Sequence, residues 1–132
     1  MSRRTFLTLA SIIALCVGAF ALTAPAALLA SKGVVADAAA EVWVREVGLI
    51  LIAVGVNAFL VKGHADSPTL RAFLIGNAVL QLGLLPIEIV AFAQGVIGSL
   101  SGIVPNSVLH VLLAGGFMYF AARCSAPLPA DD

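Results

Sequence analysis

Glu88 is the residue of this chain best placed to do chemistry. It lies two residues after Pro86, inside an apolar run from about Leu70 to Ile97. A carboxylate near mid-bilayer costs on the order of 2.5–3.5 kcal/mol on insertion scales, so a glutamate there is a functional hypothesis by default. Pro86 removes a backbone donor and frees the carbonyl one turn before it, which opens room for a small polar cavity beside the acid. Helical steps of four and seven residues put Asn77, Gln81 and Glu88 on one stripe. The two amides alone read as interhelical glue, worth about 0.6 kcal/mol each. With the acid on the same stripe, a ligand site becomes an equal reading.

His110 falls about one turn into a later apolar segment, at a depth within about one turn of Glu88. A Glu88–His110 hydrogen bond would share a proton and lower the cost of burying either group. The alternative is a histidine bonded to water or headgroups. Arg45 stands at the mouth of the second apolar segment, where it would neutralise Glu88 or grip an anionic headgroup or carboxylate. It would equally pair with Glu41, one turn earlier. The predicted ligand-binding set is Glu88, His110, Arg45, Gln81 and Asn77. No catalytic residue is assigned, because neither a Ser-His-Asp constellation nor a phosphate-binding loop is evident. Two histidines far apart give no metal site, and Cys16 and Cys124 make neither a C-x-x-C motif nor a disulfide. No cofactor is implied.

The elements that must hold these residues follow from composition. Of 132 residues, 61% are hydrophobic and only 11% charged, against about 25% charged in a soluble domain. A soluble sphere of this size could not hide that much apolar surface, which assigns the chain to the lipid bilayer. Seven basic residues balance seven acidic ones, so no field recruits nucleic acid. Four stretches are long enough to cross the bilayer, at approximately residues 5–30, 43–61, 70–97 and 106–122. Runs such as Leu49 to Val56 lack the alternation of a barrel strand. The predicted fold class is all-α, an integral membrane bundle of four transmembrane helices in one domain, 1–124. Residues 125–132 read as a disordered cytoplasmic tail. Pro105 starts the fourth helix, with Asn106 or Ser107 as its cap.

Arg3, Arg4, Lys62, Arg71 and Arg123 flank the spans on one side and Lys32 and Arg45 on the other, which predicts both termini in the cytoplasm. Ser2-Arg3-Arg4-Thr5-Phe6-Leu7 imitates a twin-arginine export signal, but three more spans follow it and it reads as the basic flank of the first helix. On the second helix Glu46, Ile50, Ala53 and Asn57 share one face, while Arg45, Gly48, Ile52 and Gly55 form a neighbouring seam for close helix contact. Gly115-Gly116 reads as packing, and Phe117, Tyr119 and Phe120 as an aromatic belt.

Several short stretches carry a family resemblance: Arg45-Glu46-Val47-Gly48 with Gly55, Arg71-Ala72, Leu109-His110-Val111-Leu112-Leu113, and Phe117-Met118-Tyr119-Phe120. From Arg45 onward the chain resembles small four-helix bacterial inner-membrane proteins of the DoxX-like type and related families of unknown function. That resemblance implies a four-helix bundle and mostly no established activity, and no catalytic residue is carried over from it. The function expected is that of a non-catalytic accessory or binding protein of a bacterial inner membrane, with a membrane-protein partner or a second copy beside it. The alternative is a lipid, quinone or small-acid binder or carrier, proton-coupled in its strongest form. An intramembrane lipid-modifying enzyme with Glu88 and His110 as acid and base has the least support.

Overall fold

The computed structural model describes residues 1–125, and the described residues are all-helical. The helices are α1 (Arg3–Thr23), α2 (Pro25–Ser31), α3 (Ala38–Val61), α4 (Pro68–Ala93) and α5 (Leu100–Arg123). All but α2 are long and apolar enough to cross a membrane, so the chain is a multi-pass membrane protein. Of the tail expected to be disordered, residues 125–132, all but Ser125 lie outside the described residues.

Four helix boundaries differ from those expected. The first span is not one helix over 5–30 but breaks at Ala24 (φ −137°). Pro25 follows as the first residue of α2, and a proline drives its predecessor out of the helical region and gives no N–H to the turn before it. The second helix begins at Ala38 rather than 43, because Asp37 caps it, its Oδ1 accepting from Ala40 N at 2.7 Å. The third helix stops at Ala93 rather than 97. Gly95 (φ +74°) reverses the chain there, with its N–H donating to Phe92 O and that of Val96 to Ala91 O. This is the Schellman termination that glycine permits without a Cβ penalty. The last helix begins at Leu100, not near 106, because Ser99 Oγ accepts from Gly102 N at 3.2 Å and caps it. Pro105 therefore lies in the second turn of α5, where its missing N–H costs Ser101 a helical partner. Asn106 and Ser107 become helix-face residues instead of caps.

The bundle is built from two antiparallel pairs, α1 with α3 and α4 with α5. In the first pair, small residues seven apart on each helix meet. Ser11 Oγ donates to Gly55 O at 2.7 Å, and Gly18 lies so close to Gly48 that a Cβ on it would stand 2.7 Å from the Gly48 carbonyl oxygen. The antiparallel arrangement brings the N-terminus, the end of α5 and the 62–67 turn to one end, and the 32–37 and 94–99 turns to the other.

At the terminal end the two pairs share an apolar core. Phe6 and Leu7 of α1 pack with Leu70 and Leu74 of α4 and with Phe117 and Phe120 of α5. The Phe6 ring lies 4.9 Å from that of Phe117 and 5.3 Å from that of Phe120, in space that a Cβ on Gly116 would invade. Phe117 and Phe120 are thus core residues rather than members of an interfacial belt. Tyr119 is half-exposed, with the Arg123 guanidinium 4.5 Å above its ring.

A polar latch closes the same end. Arg3 pairs with Asp66 and donates to His64 O at 2.7 Å, and Ser125 N donates to Asp66 at 3.1 Å. The Arg3 guanidinium holds the Asp66 carboxyl below the usual carboxylate range, helped by the Ser125 N–H. A carboxyl whose pKa is depressed on folding contributes stability above its unfolded value, and that contribution is lost as pH falls through the folded value. Thermal unfolding in mild detergent is therefore expected to show a modest decline from about pH 4 downward, and Asp66→Asn to flatten that part of the profile.

Candidate functional site

The end of the bundle remote from the termini holds a polar cluster. Lys32 ends α2, and its position is set by backbone contacts. Gly33 (φ +72°) makes a second Schellman turn, with Gly33 N donating to Ala30 O and Val34 N to Leu29 O. Gly98 N then donates to Lys32 O, and a Cβ on Gly102 would stand 2.7 Å from Lys32 Cα. With its backbone wedged against α5, Lys32 directs its ammonium to Glu88 Oε1 at 3.2 Å and to Gly102 O at 3.5 Å. The Lys32 and Glu88 side chains are 24% and 13% exposed. The pair therefore keeps some contact with its surroundings without being a surface pair.

Glu88 accepts more than this one bond. Asn106 Nδ2 donates to its Oε1, and Ser107 Oγ to its Oε2 at 3.3 Å. Asn106 Nδ2 also lies 3.0 Å from His110 Nε2. An amide nitrogen only donates, so Nε2 is the acceptor and the proton of the neutral imidazole resides on Nδ1. Nδ1 in turn faces Gln81 Oε1, which can only accept. Donors and acceptors alternate without conflict from Lys32 through Glu88, Asn106 and His110 to Gln81.

The structure brings three of the five predicted residues, Glu88, His110 and Gln81, into this network. Glu88 and His110 are not bonded directly; Asn106 stands between them, one turn before His110 on α5. Asn77 is on the same buried stripe but outside the network, donating to Phe73 O at 2.9 Å while its Oδ1 is buried without a partner. Arg45 is elsewhere: half-exposed on α3, it pairs with Glu41 at 3.1 Å. Its helix packs chiefly on α1, and the Arg45 guanidinium is taken up by Glu41 rather than Glu88.

Lys32, Asn106 and Ser107 are the site residues that sequence reasoning overlooked. A signal for Lys32 existed. Only Lys32 and Arg45 are cations at this end, and Arg45 has an i,i−4 acid of its own. The buried carboxylate therefore had one unclaimed counter-ion.

A groove of about 280 Å³ opens beside the cluster, lined by Leu28, Ser31, Lys32, Gly102, Asn106 and Leu109 among others. It is lined by one cation, by the polar side chains of Ser31 and Asn106, and by aliphatic Leu28, Pro105 and Leu109. Groups of His, Cys, Asp and Glu able to hold a metal are absent among the described residues. No family model matches the chain, and comparison with curated proteins and with solved structures gives no match.

Proposed function

We propose that this is a non-catalytic binding protein of a bacterial inner membrane, both termini cytoplasmic, that receives an anionic headgroup at Lys32. The observation that carries this reading is the Lys32–Glu88 pair, whose lysine also lines a groove together with Ser31, Asn106 and the aliphatic side chains of Leu28, Pro105 and Leu109. An ammonium has three N–H donors. Two point at Glu88 and Gly102, leaving one for the carboxylate or phosphate of a lipid or small acid. Leu28 and Leu109 would flank its hydrocarbon. A neutral quinone would leave the third N–H with a weaker acceptor, so the anionic members of the ligand class fit better. The orientation rests on five Lys/Arg residues at the terminal end against two at the other. The DoxX-like resemblance agrees with the four-helix plan.

Binding of radiolabelled dodecanoate to purified protein in neutral-lipid nanodiscs tests this reading. Lys32→Met is expected to weaken binding about tenfold or more, the scale of one charge-assisted contact. Glu88→Gln removes the competing carboxylate and is expected to tighten it. Absence of saturable binding by the wild type, or weaker binding in Glu88→Gln, contradicts the reading.

A second reading has its own support: the same pair also links the two helix pairs. Lys32 belongs to the α1–α3 half and Glu88 to the α4–α5 half, at the end opposite the shared aromatic core. An accessory protein would use the pair as a clamp alone, and dodecanoate binding would then be absent.

A further inference from the structure

We infer that the protein forms a parallel homodimer through the outward face of α3, with Asn57 as its polar contact. Gly48 and Gly55 bury one side of α3 against α1. The opposite side reads Trp43, Glu46, Ile50, Ala53, Asn57 and Leu60, with alternating steps of three and four residues. That is the spacing of a left-handed coiled-coil seam. Every one of these positions is exposed, with Trp43 at 66%, Ile50 at 60% and Leu60 at 63%. The ion pair on this helix joins Arg45 to Glu41, so Glu46 and Asn57 have no side-chain partner among the described residues.

Apolar exposure in a membrane helix needs no protein to cover it, because lipid does so. An amide is different. Asn57 is one turn inside the end of α3 at Val61, about 6 Å into the helix, where an amide in hydrocarbon gains from a polar partner. A carboxamide both donates and accepts, so it complements itself across a two-fold axis. Asparagine at a single inner seam position is known to specify pairing between parallel helices, and polar pairs hold membrane helices together. A second copy of this chain supplies that amide at the same depth, because identical loop charges insert every copy the same way. Ala53, one turn before Asn57, lets the two helices approach. Glu46 lies near Trp43 at the interface, where its carboxylate reaches headgroup water.

The full chain, tagged at its C-terminus with a donor or an acceptor fluorophore and reconstituted in phosphatidylcholine vesicles, provides the test. Energy transfer is expected to rise with the protein-to-lipid ratio and to depend linearly on the acceptor fraction, as for a dimer. Asn57→Leu is expected to weaken association about tenfold, the scale of an intramembrane polar pair, while Asn57→Gln retains it. Position 57 faces away from the bundle, so both variants keep the fold. A wild type that stays monomeric at every ratio overturns the inference, as does association unchanged by Asn57→Leu.

Discussion

Glu88→Gln and Lys32→Met are each expected to destabilise the protein by about 1–3 kcal/mol, and the double variant to regain most of that loss. Removing one partner of a fully buried pair costs about 3–5 kcal/mol because the other charge is left uncompensated. Here the side chains keep 13% and 24% of their exposure, so the cost is lower but well above that of a surface pair. In Lys32→Met the carboxylate retains the amide of Asn106 and the hydroxyl of Ser107, both neutral donors. In Glu88→Gln the ammonium retains the Gly102 carbonyl. Replacing both charges removes the desolvation cost along with the attraction, which is why the double variant recovers. Thermal unfolding of the four proteins in one mild detergent gives the coupling between the sites directly. Additive losses would mean that the two charges do not meet.

The α1–α3 contact sets the second large effect. Gly48→Val is expected to prevent accumulation of folded protein, with a loss of about 3 kcal/mol or more. A Cβ at Gly48 would stand 2.8 Å from both Gly18 O and Leu22 N, and one at Gly18 would stand 2.7 Å from Gly48 O. These are backbone atoms of the neighbouring helix, so relief requires the helices to separate and Ser11 to lose its bond to Gly55 O. Gly76 and Gly115 meet nothing within 4 Å. Alanine at either position is expected to be neutral or to stabilise by about 0.5–1 kcal/mol, because it lowers the entropy of the unfolded helix. Thermal unfolding and yield of Gly48→Val beside Gly115→Ala separate close packing from a general intolerance of glycine replacement.

The four membrane helices were legible because composition and run length alone determine them. Their ends were less so, since each boundary depended on which of several local signals prevailed. Pro25 breaks a run that hydropathy reads as continuous, and Ser99 caps α5 ahead of the more conspicuous Pro105-Asn106-Ser107. The polar stripe of α4 correctly brought Gln81 and Glu88 to one side, because helical periodicity acts within one helix. Periodicity says nothing about which helices are neighbours. Arg45 and Lys32 were both available to Glu88 by depth, and the choice was made by glycines. Gly18, Gly48 and Gly55 bind α3 to α1 and carry Arg45 away, while Gly33, Gly98 and Gly102 wedge Lys32 against α5. Phe117 and Phe120 were misread for a related reason, since only the partner helix, with Phe6 over Gly116, turns an aromatic repeat into core.

Native mass spectrometry of the protein extracted gently from its own membranes, wild type beside Lys32→Met, tests the central claim most directly. The wild type is expected to retain a discrete small anionic molecule, and the variant to lose it while keeping the same subunit count. A wild type that carries no bound mass, or a Lys32→Met variant that keeps the same mass, would contradict an anion site at Lys32.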